Sequence, residues 1–176
     1  MNPNNLIIRR ATAQDVPTLI RLITALAEYE SLAPPDELAA ERLTRDGFGD
    51  GPKFEAWLAE WDCQPVGYAF LFNAYSTFLA APTLYLEDLF VMPEYRGRGI
   101  GKAMLTHCIS LAYDRGCGRM EWTCLDWNTS AQRVYENLGA RRMTEWYLYR
   151  LDRQALEDHV AKSASDTNTA GILETM

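Results

Sequence analysis

The stretch Val91 to Lys102, VMPEYRGRGIGK, sets three glycines and two arginines directly after Leu84 to Val91 (LYLEDLFV), a run that reads as a buried strand. Pro93 stops that strand. From Gly99 to about Arg115, Ile100, Met104, Leu105, Cys108, Ile109 and Leu111 recur at helical spacing, and Gly116 lies past the end. Strand, glycine loop and helix are therefore consecutive. The loop offers bare backbone N–H groups and fixed positive charge at a helix N-terminus. Such a place favours a bound anion by about 0.3 to 2 kcal/mol through the helix dipole, and glycine lets the anion approach with no Cβ in the way.

Working outward, Leu6 to Arg10 (LIIRR) reads as a first strand. Thr12 opens a helix, with Asp15 close to capping-box spacing, and Val16, Leu19, Ile20, Ile23, Leu26 and Ala27 share one face as far as Tyr29. Pro34-Pro35 breaks it, and Asp36 to Arg45 reads as a second helix stopped by Gly47. Phe54 to Trp61 and Val66 to about Phe72 form a hairpin across a turn at Asp62 to Pro65. After the glycine-loop helix come a strand at Arg119 to Leu125, a short helix at Ser130 to Leu138 closed by Gly139, and one or two strands within Arg141 to Leu151. Strands dominate the first half and strand–helix alternation the second, which predicts a mixed-sheet α/β (α+β) layer fold in one domain, residues 1–152. Residues 153–176, including SASDTNTAG, are polar and are expected to form a flexible tail.

A length of 176 residues suits one domain with a proper core, and the net charge of −7 speaks against general nucleic-acid binding, which needs a basic surface. It is compatible with a cationic small substrate. No apolar run approaches the roughly 18 residues that span a membrane, and MNPNNLIIRRATAQD carries no signal-peptide pattern. Cys63, Cys108, Cys117 and Cys124 lack metal-type pairing, and His107 and His159 are the only histidines. Reduced, mostly buried thiols in a cytoplasmic protein without a metal are the expectation.

Two nucleotide fingerprints fail at the glycine loop. A dinucleotide loop needs G-x-G-x-x-G, but Gly97, Gly99 and Gly101 alternate and Lys102 stands in the third glycine's place. A phosphate loop needs a hydroxyl after its lysine, and Ala103 follows Lys102. What remains is a nest of N–H groups running into a helix.

This pattern resembles the pyrophosphate loop of the GNAT N-acetyltransferases, (R/Q)-x-x-G-x-(G/A), met by Arg96, Gly99 and Gly101. LDWNTSAQRVYENLGA, Leu125 to Ala140, is similar to the family's asparagine, helix and tyrosine ending in LGA. Within the family, LAEYE, YLEDLFVMPEYRGRGIGK and RVYENLGA look like the spermidine/spermine and thialysine N-acetyltransferase branch, over about Leu6 to Leu151. The resemblance implies a six- to seven-stranded mixed sheet with helices on both faces, two splayed central strands with acetyl-CoA between them, and a homodimer.

It also implies roles. Leu89, Phe90 and Val91 would hold the pantetheine, and Gly97, Arg98, Gly99, Ile100, Gly101 and Lys102, with Arg96, the pyrophosphate. Asn128, Thr129, Ser130, Ala131 and Leu138 would line the cofactor. Tyr29, Glu30, Glu121, Trp122, Thr123 and Glu145 would contact the amine. MTEW is shorter than the matching polyamine-enzyme stretch, and YSTFLAAPT differs from theirs, so the amine is open between a diamine, a polyamine and a thialysine-like amino acid.

An alkylammonium with a pKa near ~10.4 is almost wholly protonated at pH 7, so its attack on a thioester needs a base. Glu87 matches the family's acid in LED and is the candidate, through an ordered water. Read without the family, it is a carboxylate on a solvated strand face with Asp88 on the other face. Tyr135, protonated at pH 7 with a pKa near ~10, is the candidate acid for the leaving thiolate. His107 reads as structural. A protein lysine or N-terminal acetyltransferase, or a non-catalytic acetyl-CoA-binding module, stands as the alternative.

Overall fold

Two side-chain periods build the molecule, and the computed structural model describes it over residues 5–173. Five strands form one sheet in the order β1-β2-β3-β4-β5. They are β1 (Leu6–Arg10), β2 (Glu55–Trp61), β3 (Gln64–Ser76), β4 (Ala81–Val91) and β5 (Arg119–Trp122). The first four pair antiparallel, and β5 joins β4 in parallel after a helical crossover.

Alternation decides which face each strand residue serves. Ala56, Leu58, Tyr68, Phe70 and Phe90 are buried with Leu19 and Leu22 of α1 (Val16–Glu30), which therefore covers one face. The intervening positions meet α3 (Ile100–Asp114), whose Ile100, Met104, Leu105 and Cys108 are buried. Gly67 marks how close that contact is. A Cβ there would lie 2.6 Å from the Phe90 carbonyl oxygen and 3.4 Å from Met104 Sδ.

Thr12 and Asp15 form the expected capping arrangement, with the Asp15 carboxylate accepting the Thr12 N–H at 2.8 Å. It caps a short 3₁₀ turn, Ala13–Asp15, and α1 proper starts at Val16. The second helix, α2, spans Ala39–Phe48, three residues later than Asp36 suggested, because the Asp36 carboxylate caps the Leu38 N–H from outside it. The β2–β3 turn is tighter than expected. Asp62 and Cys63 alone form it, both with positive φ (50° and 62°), the geometry that suits the twist of a two-residue hairpin. Strands β3 and β4 also run further than Phe72 and Leu84 suggested, absorbing most of YSTFLAAPT into a long hairpin.

The chain divides into two units, residues 1–134 and 135–176, the boundary falling inside α4 (Thr129–Asn137). In the second unit two expectations are corrected. Residues 141–151 form no strand, so the sheet has five strands among the described residues rather than six or seven. The aromatic run that suggested strands is exposed, Trp146 by 73% and Tyr149 by 89%, and extended propensity without a ladder partner makes no strand. Arg153–Leu173 forms a helix, α5, where a flexible tail was expected. Asp152 caps its Ala155 N–H at 2.9 Å, and Arg153–Glu157 and Gln154–Asp158 bridge successive turns. Residues 174–176 of that segment lie outside the described residues.

The four cysteines are unbridged, and only Cys108 is buried; Cys63 and Cys124 are exposed, contrary to the expectation of mostly buried thiols. Cys63 faces solvent because it sits in the hairpin turn. No helix among the described residues is long and apolar enough to cross a membrane.

Candidate active site

The site begins where two strands stop pairing. The β4–β5 ladder runs only from Thr83↔Arg119 to Leu86↔Trp122. On its other side β4 pairs Leu86 with Leu71 and then Asp88 with Phe70, which leaves Glu87 as the extra residue of a β-bulge. From Asp88 to Val91, β4 keeps its β3 partner and has no β5 partner. The backbone facing that gap is available to a ligand, and Glu87 at the bulge is exposed.

This open strand runs into the glycine loop. Pro93–Tyr95 makes one 3₁₀ turn, and Gly97 and Gly99 then take positive φ (75° and 81°). No side chain caps α3. Among the described residues the N–H groups of Gly97 to Lys102 meet no protein acceptor. A Cβ at Gly97 or Gly99 would meet nothing within 4 Å, so these residues are required by backbone angle and the space before them is open. Alternating left-handed glycines ahead of a 15-residue helix make a concavity of donors suited to a diphosphate. Ile100, buried at 1%, anchors the helix start, and Gly101 lies 3.7–3.8 Å (as a built Cβ) from Val91 and Leu89 side chains.

The two arginines act differently from a simple pair of anion clamps. Arg96 donates Nε to the Val91 carbonyl at 3.0 Å and lays its guanidinium over the Tyr29 ring at 4.2 Å. Arg98 lies over the Tyr95 and Trp61 rings at 5.1 and 5.6 Å. Backbone N–H groups are therefore the donors left open at the loop, and the arginines add positive charge beside them.

Beside the bulge lies the acidic and aromatic part of the site. Glu30 ends α1, and burial raises its pKa. Tyr29 packs at 6.5 Å from Phe90 and 5.5 Å from Trp127, ring to ring. Asp88 is half-buried and accepts the Tyr68 hydroxyl at 3.2 Å. Burial, reinforced by the Glu87 charge, pushes Asp88 up to about 6. Burial and the neighbouring Asp88 charge push the Tyr68 phenol well above its ordinary value. None of Glu30, Glu87 and Asp88 has an ion-pair partner among the described residues.

Other expected residues take different places. Asn128 is an N-cap: its Oδ1 accepts the Ala131 N–H at 3.3 Å and the Ser130 hydroxyl at 3.1 Å, fixing the start of α4 at Thr129. Glu121 pairs with Arg119, two residues back on the same strand face, at 3.1 Å. Trp122 closes the β5 ladder, and Thr123 is exposed just beyond it. His107 stacks edge-on against Trp57 at 4.2 Å, and burial lowers its pKa. Tyr135, Leu138 and Glu145 belong to the second unit: Tyr135 and Leu138 are half-buried and Glu145 is exposed in a turn.

Sequence reasoning missed Asp88, Tyr68 and Trp127. Simple strand alternation put Asp88 on the face away from Glu87, and only the bulge makes both site residues. Tyr68 read as hairpin core. Trp127 was in view beside Asn128, and the signal that could have raised it was a large aromatic in a loop preceding a capped helix.

Residues 19–140 match the model of the acetyltransferase (GNAT) family. A thialysine N-epsilon-acetyltransferase of Sus scrofa is 37% identical over 90% of this chain and 99% of its own. A spermidine/spermine N(1)-acetyltransferase-like protein of Homo sapiens is 36% identical over 86% of this chain and 23% of its own. Among solved structures, an integron cassette protein from the mobile metagenome of V. cholerae superposes with a TM-score of 0.77 at 22% identity, over 89% of this chain and 98% of that one.

Proposed function

Because this chain belongs to the acetyltransferase (GNAT) family, we propose that it moves the acetyl group of acetyl-CoA to the primary amine of a small cationic molecule, a diamine, polyamine or thialysine-like amino acid, by direct attack in a ternary complex. The chain is an N-acetyltransferase, and its family uses acetyl-CoA as co-substrate. The observation that carries the reading is the end of β4 that has no β5 partner, which runs from the bulge at Glu87 into the N–H nest.

Acetyl-CoA supplies an activated thioester carbonyl and a good leaving group. The donors of Gly97 to Lys102 fit its diphosphate. The side of Leu89 to Val91 that has no β5 partner fits its pantetheine amides, and a β4 N–H facing the gap stabilises charge developing on the carbonyl oxygen. Such a donor is typically worth about 100- to 1,000-fold in rate. Glu87 takes the ammonium proton through a water, a step worth roughly 100- to 10,000-fold. Tyr135 gives a proton to the departing sulfur. Asn128 holds the start of the helix that carries Tyr135, Thr129, Ser130 and Ala131 line the cofactor from that helix, and Leu138 does so from the turn after it. Tyr29, Glu30 and Trp127 form the amine wall, where carboxylate meets ammonium and aromatic rings meet alkyl stem. Glu121, Trp122, Thr123 and Glu145 complete it. The names of the relatives support a thialysine or polyamine-type amine, and the uncompensated carboxylates support a cationic one. A metal-free homodimer in the cytoplasm is part of the same reading, supported by the family likeness, the net charge of −7 and the unbridged cysteines.

Thiol release from acetyl-CoA is measured with a panel of thialysine, lysine, ornithine, spermidine, putrescine and a lysine peptide. The expected ranking puts a free cationic amine well above the peptide. Preference for the peptide, or no turnover with any amine despite tight acetyl-CoA binding, overturns it.

A further inference from the structure

The proposed base does not sit alone. The bulge makes Glu87 and Asp88 consecutive residues of a distorted strand, so the strict alternation that would separate them is lost. Asp88 is turned inward and bonded to the hydroxyl of Tyr68, a residue with no exposed surface in the β3 core. Nothing in acetyl transfer as described above uses either side chain. A fully buried phenol that donates to a half-buried carboxylate holds that carboxylate in place, as apolar packing alone would not.

We infer that Tyr68 and Asp88 are a positioning pair for Glu87: the Tyr68 hydroxyl fixes the Asp88 carboxyl beside the bulge, so that a second carboxylate acts together with Glu87 on the ammonium substrate. This rests on the acetyltransferase reading of the same site. The charged and titratable groups around Asp88 are Glu87 on its own strand, Tyr68 on β3 and Glu30 from α1, all of them acids. Burial first, then the Glu87 and Glu30 charges, make Asp88 lose its proton late, against the Tyr68 hydrogen bond that favours its ionised form. A base works best when its proton affinity approaches the working pH. Asp88 meets that condition, so its charge joins the site as the pH rises through about 6.

The two partners should respond in opposite directions. Asp88→Asn removes the neighbouring charge, so the acid limb of kcat/KM moves to lower pH while the plateau falls. Tyr68→Phe removes the donor that favours ionised Asp88, so the limb moves to higher pH, by roughly half a unit or more. The rate of thiol release with thialysine is measured from pH 5 to 9 for the wild type, Glu87→Gln, Asp88→Asn and Tyr68→Phe. Carbon-13 carboxyl titration of the acetyl-CoA-free proteins reads the same pair without turnover, and calorimetry of acetyl-CoA binding reports that the isosteric variants keep the cofactor site. Opposite limb shifts, together with a raised upper carboxyl pKa in Tyr68→Phe, support the pair. If Glu87→Gln abolishes turnover but both limbs stay at the wild-type position, the pair is overturned and Glu87 survives as base. If Glu87→Gln keeps full activity, the proposed base falls and the pair with it. Limbs that move in the same direction reduce Tyr68 and Asp88 to packing.

Discussion

Gly99→Ala tests whether the nest binds the cofactor. Gly99 has φ 81° at the N-terminus of α3, and a Cβ there would meet nothing within 4 Å. The substitution therefore adds no clash, and its whole cost is the left-handed conformation, about 1 to 2 kcal/mol for a residue with a Cβ. The loop is exposed and its N–H groups have no protein acceptor, so the unliganded variant relaxes toward negative φ and regains that cost only when the anion demands the original shape. The dissociation constant for acetyl-CoA should then rise about 5- to 30-fold, since 1.4 kcal/mol is tenfold. Gly116→Ala is the matched control: φ 65°, nothing within 4 Å, at the opposite end of α3. It carries the same strain into stability alone. Calorimetric titration with acetyl-CoA separates the two, and acetyl-pantetheine, which lacks the diphosphate, should bind both variants like the wild type. Equal acetyl-CoA affinities in Gly99→Ala and Gly116→Ala, or an equal loss with acetyl-pantetheine, would refute the assignment of the loop.

Tyr135→Phe should lower kcat by at least about 100-fold, the lower end for general acid–base catalysis, and leave the acetyl-CoA dissociation constant within twofold; single-turnover rates and calorimetry check this. Gly67→Ala drives a Cβ to 2.6 Å from the Phe90 carbonyl oxygen, and thermal unfolding should show it less stable by about 1 to 3 kcal/mol, the usual cost of overpacking. The Arg9 guanidinium bonds both Asp15 and Glu60 at 2.8 Å and holds the Asp15 carboxyl well below its ordinary 3.8. That stability is present above the ordinary value and is lost as pH falls toward the depressed one. Asp15→Asn should cost about 1 kcal/mol after allowing for the exposure of Arg9, constant from pH 5 to 8 and narrowing below pH 4 in urea unfolding.

What the chain reveals before it folds depends on whether a signal is local. The α3 face, the capping pair Thr12–Asp15 and the glycine nest rest on neighbours within a few residues; the capping pair and the nest stand in the structure, and the helix face stands at Ile100, Met104, Leu105 and Cys108, while Ile109 is exposed and Ala112 is buried instead. Ladder lengths are not local. The extent of β3 and β4 is set by each supplying the other's hydrogen bonds, so YSTFLAAPT reads as a loop and folds mostly as hairpin. The aromatic run near Trp146 shows the converse, since its strand propensity is strong and a ladder partner is absent. Asp88 was hidden for a third reason: a bulge shifts the period-2 pattern by one, and nothing in LYLEDLFV marks where the extra residue falls.

That single inserted residue joins several features of the site. By interrupting register at Glu87, it coincides with the last β4–β5 pair, Leu86↔Trp122, so the strand's backbone is freed where a cofactor would need amides. It leaves one carboxylate facing out at the gap and its neighbour bonded inward to Tyr68. It also lets the remaining residues, Leu89 to Val91, resume alternation, with Phe90 packed toward α1 and Leu89 and Val91 toward the first turn of α3. A regular strand would either bury Glu87 against a partner or point Asp88 away from it. In the proposed mechanism, binding and proton removal are thus coupled through backbone register. Deleting Glu87, which restores a plain ladder, should cost more turnover than Glu87→Gln and should also weaken acetyl-CoA binding, which Glu87→Gln leaves intact. Calorimetry showing equal acetyl-CoA affinity in the two variants would detach the bulge from the cofactor gap.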